Sequence, residues 1–254
     1  MVSWGKDEYD DSTYGDRLAG IYDELYEDLF DDKDELVGVL ARLAGDGLAL
    51  ELAIGTGRIA LPLAARGIAV HGIDASEAMI AKLRSKPGGE AIPVTMGDFA
   101  DVGVDRVYSL VYLVFNTFFA LLTQEDQVRC FANVARRLTP GGAFVVEAFF
   151  PDVARYDRGQ RVHASRVQVD RLALETSVHD PVEQTVLSQQ VILTQEGTAL
   201  YPVAIRYAWP SEMDLMAKLA GLDLRSRWGG WRGERVDPRT QKVVSIYTKP
   251  GVQD

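Results

Sequence analysis

A chain of 254 residues, 47% hydrophobic and 25% charged, is long enough for one large α/β domain or such a domain with an insertion, and too apolar to be mainly disordered. Its net charge of −10 argues against sequence-independent nucleic-acid binding, which needs clustered Lys and Arg, so the expected ligand is small. The one cysteine, Cys130, excludes an intramolecular disulfide framework and a Cys-rich metal site, and its apolar neighbours at helical spacing predict a packing role. No metal site is expected.

Met1 to Asp11 is acidic and lacks the apolar core of a secretory signal, and no apolar run approaches the ~20 residues that span a bilayer. A cytoplasmic protein without a membrane partner is therefore expected. Residues 1–16 are polar and Asp-rich, a composition that needs a ligand to order it. Leu18, Ile21, Tyr22, Leu25, Tyr26, Leu29 and Phe30 then recur at three- and four-residue steps and predict one amphipathic helix. A second, over 33–44, is ended by Gly45-Asp46-Gly47. From Leu48 short apolar runs alternate with helical segments, the pattern of a largely parallel sheet flanked by helices. Strands are predicted at 48–53, 68–73, 91–95, 106–114 and 142–149, with helices at 57–66, 77–86 and 124–138. Pro140-Gly141-Gly142 is read as the break between the last of these helices and its strand.

Beyond Pro151 the helical period gives way to alternation and β-branched residues, which predicts three or four antiparallel strands up to about Trp209. Turns fit at Asp180-Pro181 and Glu196-Gly197. Such an inserted sheet can cover a pocket; its alternatives are a sheet extension or the surface of a homodimer. A helix over 211–220, capped by Ser211 and stopped by Gly221, and strands at 222–228 and 242–248 complete the chain. Three parts follow: N-terminal helices and a cofactor-binding core over 1–150, an antiparallel lid over 151–209, and the remainder of the core over 210–254.

The stretch Leu50-Glu51-Leu52-Ala53-Ile54-Gly55-Thr56-Gly57-Arg58 reads as a strand that passes through a glycine turn into a helix, which brings backbone close to a ligand. Gly55-Thr56-Gly57-Arg58-Ile59-Ala60 satisfies G-x-G-x-x-A, and Asp74 follows Gly55 at dinucleotide spacing, so an NAD-dependent oxidoreductase fits this loop too. Glu51 weighs against it. A buried carboxylate needs a partner; a ligand ammonium would satisfy it, whereas a pyrophosphate would repel it.

Together with Gly72-Ile73-Asp74-Ala75-Ser76 and Gly97-Asp98-Phe99, this pattern resembles the class I S-adenosylmethionine-dependent methyltransferases. The resemblance implies a Rossmann-like, doubly wound, seven-stranded and mostly parallel sheet, with S-adenosylmethionine as cofactor. It places Asp74 against the ribose hydroxyls, with Ala75 beside it, Asp98 at the adenine amino group, Phe99 against the ring, and Gly97 in the turn that presents them. Ala53, Gly55 and Gly57 form the glycine loop, with Ala53 standing where the family often has its first glycine. Val114 and Asn116, at the end of the fourth strand, face the methionine moiety, and Tyr14 and Tyr22 resemble N-terminal tyrosines that close over the cofactor.

The inserted sheet and the aromatic residues Phe149, Phe150, Tyr207 and Trp209 resemble small-molecule methyltransferases of the deoxyaminosugar and natural-product type, although Ile54 and Arg58 replace a Cys and a His common there. Methyl transfer to nitrogen or oxygen of a small-molecule acceptor is implied. An alcohol acceptor generally requires a base and a neutral amine does not; Glu147, His163 and His179 are the candidates, with His71 structural. The remaining alternatives are the NAD-dependent oxidoreductase and a non-catalytic S-adenosylmethionine-binding protein.

Overall fold

The computed structural model describes residues 4, 8–26 and 32–251. Strand β1 (Ala49–Leu52) is buried at every position, as a near-continuous apolar run should be in the middle of a parallel sheet covered on both faces. It pairs in parallel with β2 (Val70–Asp74) on one side and β4 (Tyr108–Leu113) on the other. The other strands of the sheet are β3 (Val94–Met96), β5 (Leu138–Phe149), β10 (Asp223–Trp228) and β11 (Lys242–Thr248), in the spatial order β10-β11-β5-β4-β1-β2-β3. β11 alone runs opposite to the other six strands.

Helices cover both faces. On one, α3 (Lys33–Ala44) buries Leu36, Val37 and Leu40 against Leu110, Tyr112 and Val145 of the strands. α4 (Ala60–Ala65) packs there through Ala60 and Leu63, beside Leu83 of α5 (Glu77–Arg84). On the other, α6 (Gln124–Arg137) and α7 (Pro210–Leu219) place Phe131, Val134, Met213 and Met216 against Val111, Phe144 and Tyr247. Cys130 is fully buried in that layer, and burial pushes its thiol pKa up, which matches the packing role expected of it. Capping follows the sequence at Ser76, whose hydroxyl accepts from Met79 N–H at 3.1 Å, and at Thr123, which accepts from Asp126 N–H at 3.0 Å.

The antiparallel insertion consists of β6 (Gln160–Val167), β7 (Arg171–Asp180), β8 (Thr185–Thr194) and β9 (Gly197–Arg206), paired in sequence order as a separate sheet. It lies between β5 and α7 in the chain.

Four local expectations need correction. The single helix from Leu18 to Phe30 is two short ones, α1 (Thr13–Leu18) and α2 (Tyr22–Tyr26), interrupted around Gly20, the poorest helix former of the run after proline; Leu29 and Phe30 lie outside the described residues. Ser211 does not cap α7. Pro210 occupies the first turn, where its missing N–H costs nothing, and Trp209 is the N-cap. The third strand begins only at Val94, because Gly89–Ala91 turns as a 3₁₀ helix. Pro140-Gly141-Gly142 forms a bulge within β5 rather than a gap before it: pairing with β4 slips between Leu138 and Ala143, and Gly141 takes φ +78°. Among the described residues no helix is long and apolar enough to cross a membrane, and no cluster of three His, Cys, Asp or Glu is arranged to hold a metal.

α1 seats directly on the start of α5. A Cβ on Gly15 would lie 2.5 Å from Ser76 Cβ and 3.1 Å from Met79 Cγ, so the approach depends on glycine. Gly15→Val is therefore expected to push α1 off α5 while the central sheet survives. Limited proteolysis should then cut near residues 8–26, with the melting temperature lowered by only a few degrees, equivalent to about 1–3 kcal/mol; an uncut segment would refute the close-approach reading.

Candidate active site

The strands β1, β2, β4 and β5 all end on one side of the sheet, and a cavity of about 1350 Å³ opens there. This is where an open α/β sheet presents groups to a ligand. Its floor comes from the loops that follow these strands, its roof from the N-terminal segment and from β7, β8 and β9, and its far wall from residues of the 229–241 loop with Lys242.

β1 leaves the sheet through Ala53 at φ +54°, Gly55 at φ +56° and Gly57 at φ +76°. At Gly55 nothing stands within 4 Å of where a Cβ would be, so this backbone faces open cavity; at Gly57 a Cβ would run into Leu83 Cδ1. The two glycines thus do different jobs, ligand approach and helix packing. Ala53 takes a left-handed conformation without being glycine, at a cost of roughly 1–2 kcal/mol. Asp74, at the end of β2, accepts from Gly55 N–H at 2.7 Å through one oxygen and from Ser76 N–H at 2.9 Å through the other. Burial raises its pKa, and the N–H groups of Ser76, Gly55 and Ala75 oppose that rise.

Glu51 lies behind this loop instead of on the cavity wall. It is 4% exposed, and its carboxylate accepts from the Tyr112 hydroxyl at 2.9 Å and from the Ala60 N–H. Burial raises its pKa from 4.5 to about 8, against the pull of those two donors. Asp98 and Phe99 line the cavity after β3. Asp98 accepts from Ala100 N–H at 2.8 Å and pairs with Arg129 at 3.1 Å, and Arg129 also holds Asp101 and Asp126.

The end of β4 is the most strained part of the floor. Phe115 and Asn116 are consecutive non-glycine residues at φ +60° and +64°. Phe115 N–H donates to Glu147 Oε2 at 3.0 Å, and Asn116 Oδ1 accepts from Phe149 N–H at 2.6 Å, so this turn is laced to the end of β5. The Arg58 guanidinium lies 4.7 Å from the Phe115 ring centre and 5.9 Å from that of Tyr22. Overhead, the Tyr14 and Tyr26 hydroxyls meet at 3.0 Å, and burial pushes the pKa values of Tyr14, Tyr22 and Tyr26 up, so all three stay protonated.

Of the residues proposed from the sequence, Tyr14, Tyr22, Ala53, Gly55, Asp74, Ala75, Asp98, Phe99, Asn116 and Glu147 line this one cavity. Glu51, Gly57, Gly97 and Val114 stand behind or beside it. The histidines do not enter it. His163 is exposed on β6, at the outer edge of the inserted sheet, and His179 is buried between strands with its Nε2 3.0 Å from the Tyr207 hydroxyl and its ring stacked on Tyr156. By pairing, His163 lies opposite Glu175 and His179 opposite Val186, so both share the sheet face that carries the cavity lining, yet neither is part of that lining: His163 stands on the edge strand and His179 is engaged by Tyr207 and Tyr156. His71 meets Tyr108, as a structural residue would.

Residues 49–142 match the family described as Methyltransferase domain. Over 96% of its length the chain superposes on all of the CcbJ methyltransferase from Streptomyces caelestis, at a TM-score of 0.90 and 37% sequence identity. The chain belongs to the S-adenosylmethionine-dependent methyltransferases. This methyltransferase is also 28% identical to the cypemycin N-terminal methyltransferase of Streptomyces sp, across 94% of its own length and 99% of that protein's. It is 29% identical to the dTDP-4-amino-2,3,4,6-tetradeoxy-D-glucose N,N-dimethyltransferase of Saccharopolyspora spinosa, across 64% and 68%. Membership of this family gives S-adenosylmethionine, rather than a dinucleotide, as the cofactor.

The cavity of this enzyme suits that cofactor on its own terms. Gly55 leaves open space where a side chain would stand, and the Asp74 carboxylate, with its roughly four lone-pair sites, keeps accepting capacity beyond the N–H groups of Gly55, Ser76 and Ala75. Sequence reasoning missed the parts that hold the roof down: Thr56 Oγ1 donates to Asp23 Oδ1 at 2.6 Å, Lys86 pairs with Asp23 at 2.6 Å, and Ser76 Oγ donates to Asp16 at 2.5 Å. Each joins positions at least thirty residues apart, and no spacing rule reaches that far. The acids clustered in the first thirty residues were the available signal.

Glu51 gives a pH test with a definite sign. Its folded pKa, about 8, lies above the ordinary 4.5, so between these values the unfolded chain binds fewer protons and the folded state loses stability as pH rises. The ligand-free enzyme should weaken from pH 5 to 8 by up to about 1.4 kcal/mol per unit from this group. Glu51→Gln should remove that component, which melting curves across the range will show; parallel curves for the two proteins would refute it.

Proposed function

We propose that this methyltransferase moves a methyl group to an amine nitrogen of a small-molecule acceptor bound beneath the inserted sheet. The observation that carries this reading is the make-up of the acceptor side: Glu175, Tyr156, Phe149 and Ser188 line it, while neither His163 nor His179 is in the lining. Carboxylates and aromatic faces attract a cationic amine. Once neutral, the amine attacks without a protein base. Two relatives named for methylation at an N-terminus and at a sugar nitrogen support the same reading.

The bound cofactor supplies an activated methyl group on a sulfonium, so the protein chiefly aligns the reactants, which can supply up to ~7–11 kcal/mol of the barrier. In this reading Asp74 receives the ribose hydroxyls, Asp98 the adenine amino group, and Phe99 the ring. Ala53, Gly55 and Asn116 shape the wall at the methionine end, Tyr14 and Tyr22 close over it, and Glu51 balances its ammonium from behind the loop. Residues 151–209 act as a lid that excludes water from the acceptor, between a core over 1–150 and its completion over 210–254.

Two measurements test this. Asp74→Ala should weaken S-adenosylhomocysteine binding at least tenfold by calorimetry, because two charge-assisted hydrogen bonds of about 1.5–3 kcal/mol each are lost; unchanged affinity would remove Asp74 from the site. With paired amine and alcohol acceptors of matched shape, only the amines should be methylated, and kcat/KM should rise tenfold per pH unit up to the acceptor's own pKa. Equal turnover of the alcohols would overturn the amine assignment.

A further inference from the structure

We propose that Glu147 is a positioning residue: with Lys242 it clamps the strained Phe115–Asn116 turn in the shape that the cofactor side of the cavity requires. The sequence places Glu147 at the end of β5, where it invites the role of general base. Its surroundings assign it different work. The side chain is 4% exposed, and both oxygens are engaged. Oε2 accepts from Phe115 N–H at 3.0 Å, and Oε1 lies 3.3 Å from Lys242 Nζ. Lys242 in turn donates to Asp32 Oδ2 at 2.6 Å, just ahead of α3. Burial works to lower the Lys242 pKa, but the hydrogen bond to Asp32 and the charge of Glu147 outweigh it, and the ammonium is held firmly protonated.

The turn needs such a clamp. Phe115 and Asn116 both sit in the left-handed region, which side chains with a Cβ resist, and such strain persists only where surrounding contacts over-determine it. Three ties bind the turn to β5. Two come from backbone groups, Asn116 N–H to Glu147 O at 3.3 Å and Phe149 N–H to Asn116 Oδ1 at 2.6 Å. Only the third, the Glu147 carboxylate, is anchored in turn to another element, through β11 and Asp32. A proton gained by Glu147 would weaken its pairing with Lys242, so service as a base and service as a clamp conflict.

The test separates the two roles. Glu147→Gln keeps an oxygen for Phe115 N–H, while Glu147→Ala removes it. The alanine variant is expected to bind S-adenosylhomocysteine at least tenfold more weakly and to raise KM for S-adenosylmethionine by a similar factor. The glutamine variant, which keeps an acceptor for Phe115 N–H and loses only the ion pair with Lys242, should fall between the parent and the alanine variant in affinity, with kcat within about threefold of the parent and an unchanged pH profile. Lys242→Met, which leaves the bond to Phe115 in place, should weaken binding by an intermediate factor and keeps the proposal testable if the alanine variant fails to fold. Unaltered affinity in Glu147→Ala, or in Lys242→Met where the alanine variant fails to fold, would overturn the proposal. So would a glutamine variant that loses kcat a hundredfold at normal affinity, the mark of a base. These readouts are independent of the acceptor, so a failure of the amine assignment would not be mistaken for a failure here.

Discussion

The Asp74 carboxylate joins the loops after β1 and β2, and the rest of the site is built outward from that joint. Parallel strands that end together leave N–H groups at their tips with no partner in the sheet. Asp74 takes one from each side, Gly55 and Ser76, and so fixes the glycine loop relative to the start of α5. Ser76 then does two further jobs, capping α5 and donating to Asp16 of α1. One acid at the end of one strand thereby sets the floor and gives the roof its first anchor.

Three buried acids sit around this cavity, and their partners distinguish them. Asp74 rests among backbone N–H groups, Glu51 against a tyrosine hydroxyl, and Glu147 beside an ammonium. Desolvation disfavours the charge of Asp74 and of Glu51, and the strength of the local compensation decides how far. Glu51, with the weakest donors, has its pKa raised to about 8. A cation arriving near it would favour ionisation, so occupancy of the loop and the charge of Glu51 are linked. Glu147 is instead paired with the Lys242 ammonium at 3.3 Å.

The sheet and its order of strands and helices were legible because apolar runs, glycine turns and helical periods are local properties of the sequence. Asp74 and Asp98 could be picked out as cavity residues for the same reason: short, local runs of helix and strand fix their distance from the glycine loop. The N-terminal helices were misread, since a periodic apolar pattern over Leu18 to Tyr26 does not reveal that Gly20 breaks it. His163 and His179 stand on the same sheet face as Glu175 and Val186 but outside the cavity lining, because reaching the cavity depends on position along and across the inserted sheet, which is set by pairing that the sequence does not display. Lys242 was read only as part of a strand, and nothing local marks it as the partner of Glu147.

The roof is the least local feature and the most consequential. The N-terminal segment touches the glycine loop through Asp23 and Thr56, α5 through Asp16 and Ser76, and the inserted sheet through the Tyr9 hydroxyl, which accepts from Ala204 N–H at 3.2 Å. Glu24 adds an ion pair to Arg171 of β7 at 3.3 Å. Most of these ties are single polar contacts at partly exposed positions, each worth little on its own. Their number holds the segment over the cavity, which Tyr9, Asp10, Asp11 and Tyr14 line. The acidic, aromatic N-terminus is therefore part of the site, although it precedes the first strand of the fold that carries it.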